Sequence, residues 1–319
     1  MRRSYFMKRC PVLLLTAVVM FFLNGCVWMN GNTENAELAQ LGLKVSEKDP
    51  WLYSHSLRGT LKLVPRRRHC YINGMLFYLP HVVTVDEKGR CQVSALSIEK
   101  VIKPLFAEHS ASLPLIRQVI LDPGHGNENS GAVGVHYKEK DLNLALSKEI
   151  ANSLEKRGIK VRFTRTDDTF LTLEERGIFA RPENGDLFLS IHHNASANKN
   201  ASGVETYIAT PCGSASTNDP ATSIHKTAVP GNLHDAVNIR LAAAIQKNMV
   251  RKAERRDRGV RFARFRVLVL SQLPGALIEA GFVSTPSEEL LCGKSSEQRK
   301  IAEAIAEAVV EYNSNALSK

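Results

Sequence analysis

Outside one short stretch near its start, the sequence has no long apolar run, so the remainder reads as a soluble body rather than a membrane protein. Cysteine is scarce, six in 319 residues, and the spacing fits no zinc knuckle. No internal repeat is present, which removes solenoids and propellers. Hydrophobic residues at 44% and charged residues at 23% exclude disorder, collagen and coiled coil for the whole chain. Acidic residues are missing from the first nine positions, where Arg2, Arg3, Lys8 and Arg9 stand. The formal charge of +10 suits an anionic partner such as a polymer of the cell wall, lipid headgroups or nucleic acid, and does not choose among them.

The basic start is followed by residues 12–23, VLLLTAVVMFFL, with eleven apolar residues in twelve. A cationic start and an apolar stretch of this length make a secretory signal. Gly25-Cys26 after it resembles a bacterial lipoprotein cleavage box, so residues 1–25 are expected to leave as a signal peptide and Cys26 to carry lipid. The protein is then exported to the periplasm and anchored to a membrane. Val27, in place of the Asp that retains some lipoproteins at the inner membrane, points to the outer one. Export makes nucleic acid an unexpected partner for the arginine-rich stretch 251–266.

Residues 26–56 are polar and read as a tether. Residues 57–110 read as a small β-rich accessory domain, with Asn73-Gly74 and Lys88-Gly89 punctuating short strands. Cys70 and Cys91 flank its hairpin region and either pair or stay as buried thiols. From about 115 to 313 the pattern becomes α/β. Strands are expected at IRQVILD (116–122), KVRFTR (160–165), DLFLSI (186–191), VETYIA (204–209), FRVLVL (265–270) and PGALIEAG (274–281). Helices are expected at 141–158, 171–181, 236–254 and 299–312. Asp141 is a plausible N-cap and Gly158 a plausible stop. Alternation of this kind implies a central, mostly parallel twisted sheet flanked by helices. Residues 209–235, rich in Pro, Gly, Ser and Thr, are expected to form a loop lining the groove, with His225 and His234 on the surface.

Polar residues gather at the expected strand ends. His125 follows the first strand, His192 and His193 follow DLFLSI, and Glu279 lies inside the apolar run GALIEAGF. Ligands bind outside the carboxyl ends of strands in open α/β sheets, so these residues can meet. His125 alone can belong to a mere turn, and a phosphate cradle is disfavoured because no Lys-Ser/Thr follows. His192 alone can be an ordinary strand-end histidine, and Glu139 in the string KEKD an ordinary helix start. Glu279 is harder to explain blandly, since a carboxylate buried in an apolar run costs several kcal/mol unless paired. Two imidazoles and a carboxylate make a usual catalytic zinc set, and a second carboxylate then serves as general base.

VILDPGHG (119–126), KEKDLNLAL (138–146), TRTDDTFLTLEER (164–176), LFLSIHHNA (187–195), GVETY (203–207), DRGVRFARFRVL (257–268) and PGALIEAGFVS (274–284) occur in order. Together they resemble the zinc-dependent N-acetylmuramoyl-L-alanine amidases of the amidase-3 type. The resemblance implies one zinc ion held by His125, Glu139 and His192, with Glu279 as the catalytic glutamate. It implies peptidoglycan as substrate, cut between N-acetylmuramic acid and the L-alanine of the stem peptide. His193 stands where such enzymes usually have a small residue. Successive strand residues face opposite ways, so His192 is favoured as the ligand and His193 is its competitor. Arg258 is a candidate clamp for a peptide carboxylate. Asn194 and Glu205 are candidates to orient the site, and Asn194 also to touch substrate. Some relatives carry a helix that plugs the site; no plug is expected here, and no activator protein is required. Another zinc peptidase or deacetylase of the wall, or a wall-binding lipoprotein with a decayed site, are the alternatives.

Overall fold

The computed structural model describes residues 34–46, 48–107 and 114–317. The expected signal peptide, Cys26 and the first part of the expected tether lie outside the described residues. Helix α1 (Glu34–Gln40) leads into β1 (Lys44–Val45), β2 (Leu52–His55), β3 (Gly59–Leu63), β4 (His69–Ile72) and β5 (Met75–Tyr78). These five strands form an antiparallel meander. A ribbon of β6 (Thr84–Val85) and β7 (Cys91–Gln92) precedes α2 (Ala95–Ser97), a π turn (Ile98–Ile102) and α3 (Lys103–Phe106). Then come β8 (Gln118–Pro123), α4 (Glu139–Glu155), β9 (Lys160–Phe163), α5 (Leu173–Phe179), β10 (Leu187–Asn194) and β11 (Val204–Ala209). The chain ends with α6 (Asp235–Lys252), β12 (Asp257–Ala263), α7 (Arg266–Leu270), β13 (Gly275–Phe282), α8 (Pro286–Gly293) and α9 (Ser295–Leu317).

Eleven strands make one sheet, ordered β1-β2-β3-β4-β5-β12-β11-β13-β10-β8-β9. In its second half β13, β10, β8 and β9 run parallel, and β12 is parallel to β11. β11 runs antiparallel to β13. Side chains alternate between faces along each strand. Val119, Leu121, Leu187, Leu189, Ile191 and Ile278 therefore pack into the large core under α4, α6 and α9. Ile120, Phe188, Tyr207 and Leu277 point the other way, onto Ala180, Val267 and Leu268 of the α5 and α7 region. Both faces are covered, which is why these strands read as unbroken apolar runs. Each such fully buried Leu or Ile contributes about 1.5–3 kcal/mol. Among the described residues no helix is long and apolar enough to cross a membrane.

Four expectations need correction. FRVLVL forms the short helix α7, not a strand. A short apolar run carries no periodicity to tell the two apart, and burial of Val267 and Leu268 decides it. A strand, β12, lies instead in the arginine-rich stretch, and its Val260 pairs with Phe77 of β5. That pairing fuses the accessory region to the α/β sheet. Residues from Glu34 on, within the expected tether, form α1, β1 and β2 of the same sheet. The loop after β11 packs on the accessory region: Arg68 donates to Ala215 O at 2.6 Å and Ser216 O at 3.1 Å, and the His81 ring meets Gly213 O at 2.9 Å. His225 and His234 in that segment are both half-buried. Cys70 and Cys91 are buried free thiols. Gly158 does stop α4, with φ at +75°.

Candidate metal and active site

β8 delivers its last residues, Asp122 and Pro123, to the carboxyl edge of the sheet, and the chain then loops through His125. His125 sits at φ +64°, a sparsely populated conformation for a side-chain-bearing residue. Its loop is pinned from beneath. Arg176 of α5 donates to Asp122 Oδ1 at 2.6 Å, to Pro123 O at 2.8 Å and to His125 O at 2.7 Å. Thr164 and Ser190 hydroxyls donate to the same fully buried carboxylate, at 2.7 and 2.9 Å. Arg165 holds Pro123 O and Gly124 O, at 2.9 and 2.8 Å. His125 Nδ1 lies 2.9 Å from Asn129 Oδ1. That amide oxygen can only accept, so Nδ1 carries the proton and the lone pair on Nε2 is free to bind a cation.

Glu139 is the first residue of α4, with Lys138 at the N-cap, so the helix begins three residues earlier than an N-cap at Asp141 would have it. Its Oε1 lies 2.8 Å from His192 Nδ1 and 3.1 Å from His125 Nε2. Its Oε2 accepts the Ala132 N–H at 2.8 Å. Burial alone would raise its pKa, but the two imidazoles outweigh burial and hold the carboxylate far below its usual range. Backbone close approach makes the space. A Cβ on Gly124 would come within 2.2 Å of the His192 ring, and one on Gly131 within 2.5 Å of Glu139 Oε2.

The sheet register puts the two histidines on opposite faces. His192 pairs with Glu279 across β10 and β13, and Glu279 pairs with Glu205 across β13 and β11. The three side chains form a row on the face shared by Phe188, Tyr207 and Leu277. His193 points to the opposite face, where it is 1% exposed and its Nδ1 meets Asn143 Oδ1 at 2.8 Å. Burial pushes its pKa down to about 4, so it is neutral and carries no ligand role in this geometry.

Glu279 is buried and its Oε2 has no hydrogen-bond partner. Burial, then the charges of Glu139 and Glu205, push its pKa well above the usual value. It faces a groove of about 580 Å³ that His125, Glu139, His192 and Asn194 also line. The far wall is apolar, with Phe170, Leu173 and Phe265, and Arg266 on its rim paired to Glu174 at 3.1 Å. Asn194 donates to Glu205 Oε2 at 3.2 Å, and the Tyr207 hydroxyl donates to the same oxygen at 2.6 Å.

Among the described residues, His125, Glu139 and His192 are the group able to hold a metal ion, each offering one donor atom and all three atoms within 4.8 Å of one another. Two imidazoles, one carboxylate and a buried carboxylate beside them whose Oε2 has no hydrogen-bond partner fit a divalent cation with a position left for solvent. Arg258 does not line the groove. Its Nε donates to Glu205 Oε1 at 2.6 Å and its guanidinium lies 4.8 Å over the Phe282 ring. No residue of 209–235 lines the groove. Sequence reasoning passed over Asn129, Asp122, Arg176 and the apolar wall. Arg176 had a signal, since it follows the capping box Thr172–Glu175 on a helix aimed at the strand end. Asn129 had none beyond its nearness to His125.

Residues 119–311 match a family described as N-acetylmuramoyl-L-alanine amidase. The protein YqiI of Bacillus subtilis strain 168 is 37% identical over 196 residues, 61% of this chain and 84% of that one. The N-acetylmuramoyl-L-alanine amidase AmiA of Escherichia coli strain K12 is 33% identical over 219 residues, 61% of this chain and 76% of that one. The crystal structure of an N-acetylmuramoyl-L-alanine amidase from Clostridium difficile 630 superposes with a TM-score of 0.51 at 34% identity, covering 62% of this chain and 97% of that one.

Proposed function

Since this chain belongs to the N-acetylmuramoyl-L-alanine amidase family and is a hydrolase of that kind, we propose that it uses one zinc ion, held by His125, Glu139 and His192, to cut peptidoglycan between N-acetylmuramic acid and L-alanine. Zinc in such a site supplies a Lewis acid that lowers the pKa of water and polarises the scissile carbonyl. The chain's own residues do the rest. Asn129 fixes the tautomer of His125. Glu279 accepts the proton of the attacking water as the new C–O bond forms. It returns that proton to the amine nitrogen as the C–N bond breaks. A carboxylate with a raised pKa suits both halves of that transfer. Asn194, held by Glu205, presents its amide to the substrate in the groove. Arg258 acts through Glu205 in this arrangement, steadying the carboxylate that holds Asn194.

The observation that carries the reading is the buried, unpartnered Glu279 in register with His192 on the groove floor. The rest of the proposal is export, a lipid on Cys26 tethering the enzyme to a membrane facing the periplasm, and activity without an added activator. Purified peptidoglycan digested with the full chain, with and without a chelator, is the test. Mass spectrometry should find stem peptides with a free L-alanine amine and uncut glycan, and chelation should abolish them. Release of acetate, or of fragments cut within the stem, would assign a deacetylase or a peptidase instead.

A further inference from the structure

Between β8 and α4 the chain makes a long excursion, and its second half is a closed hairpin. The Glu139 N–H donates to Ala132 O at 2.8 Å, the Ala132 N–H returns to Glu139 Oε2 at 2.8 Å, and Val133 bridges Lys138. The neck of this hairpin therefore grips the Glu139 carboxylate. Its tip has little apolar anchorage, because Val133 and Val135 are 65% and 75% exposed. The anchor is polar and comes from α8. Glu289, fully buried, takes the N–H groups of His136 at 2.6 Å and Tyr137 at 2.7 Å on Oε1, and that of Val135 at 3.1 Å on Oε2. Three successive amides converging on one anion form a nest, here filled from within the chain. Burial opposes the charge on Glu289, but the three donors outweigh it and keep its pKa below the usual carboxylate range. The approach is tight: a Cβ on Gly134 would lie 2.3 Å from Glu289 Oε1. Tyr137 completes the docking, its ring so close to Gly293 that a Cβ there would lie 2.3 Å away.

We propose that Glu289 is a positioning residue for the metal site, whose carboxylate clamps the 132–139 hairpin and so presents Glu139 to His125 and His192. The proposal rests on the reading of Glu139 as a ligand. Partners outside the ligand set are worth about 10–100-fold in metal affinity. Glutamine at 289 would keep one acceptor oxygen and set an NH2 group against a backbone N–H.

The test is zinc affinity of the metal-free full chain, measured by competition with a chromophoric chelator. It compares wild type, Glu289→Gln, Gly134→Ala and their double variant. Glu303→Gln, which breaks a bond between α4 and α9 away from the site, is the control. Zinc affinity should fall about 10–100-fold in each single variant. The double variant should lose little more, since both changes break one clamp. The control should match wild type. With saturating zinc, kcat of Glu289→Gln should recover while KM stays unchanged throughout. Gly134→Ala attacks the same contact from the loop side and carries the test if Glu289→Gln does not fold. Wild-type zinc affinity in the variants, with a lowered melting temperature alone, overturns the inference and leaves the ligand reading standing. A wild-type chain that takes up no zinc overturns both.

Discussion

His192 and His193 are neighbours in β10, yet they enter different worlds. The face that receives His193 lies under α4, α6 and α9, helices of 17, 18 and 23 residues. The face that receives His192 is covered by α5 and α7, of 7 and 5 residues. Long helices close the first face out to the strand ends, so a polar ring there must find a partner in the interior, and Asn143 supplies it. Short helices stop before the strand ends on the second face. What remains is a groove, with His192 and Glu279 on its floor and Glu205 beside Glu279 in the same row. Chemistry is placed where helix cover runs out, and one residue of register decides which histidine reaches it.

The sharpest way to break this contrast is to delete each ring. His192→Ala should lose metal and all measurable amide hydrolysis. His193→Ala should keep metal and lose about 1–3 kcal/mol of stability by stranding the Asn143 amide. Metal content by atomic emission, beside turnover of purified wall, reads both; the reverse pattern would exchange the roles of the two faces. Next in size is Glu279→Gln, which should keep fold and metal while turnover drops about 10²–10⁴-fold. Hydrolysis at the wild-type rate by that variant would remove Glu279 from the proton transfer. Beneath the groove, Arg176→Met should cost about 3–5 kcal/mol in urea unfolding, because it leaves Asp122 charged and buried without its cation. A loss under about 1 kcal/mol, the range of surface pairs, would mean that the pair does not pin the His125 loop.

Much of the groove face was legible before the structure. The apolar strands end at His125, His192 and Glu279, and alternation along β10 already separates His192 from His193. Three things were not legible, each for a physical reason. VLVL of α7 is too short for a period to show, so tertiary burial, not pattern, makes it a helix. β12 hides in a run of arginines because Arg258 and Arg261 are spent on Glu205, Tyr78 and Asn218, contacts that no local pattern announces. The join of β5 to β12 links residues 183 positions apart, Phe77 and Val260, and nothing near either one encodes the other. The loop after β11 was placed at the groove by composition, which says that a segment is a loop and not where it goes.

Acid should weaken the closed face first. His193 has an unfolded value near 6.5 and a folded one of about 4, so between these the unfolded chain binds more protons. Its contribution is intact above pH 6.5 and is lost progressively as pH falls to about 4. Thermal melting across that window should decline more steeply for wild type than for His193→Asn. Equal slopes would place the acid sensitivity elsewhere.

The smallest effect belongs to the outer skin of the closed face. Arg157 at the end of α4 pairs with Glu303 on α9, and both side chains reach solvent, the glutamate at 45%. Such pairs gain little Coulomb energy in water and spend side-chain entropy to form. Arg157→Ala should therefore change stability by about 1 kcal/mol or less, and less still at high salt. Metal affinity and turnover should not move, because Arg157 lies just past the C-terminal end of α4, about five turns from Glu139, the residue that helix gives to the site at its other end. A measurable change in turnover from Arg157→Ala would show that the two faces are mechanically coupled, and the separation drawn from His192 and His193 would have to be given up.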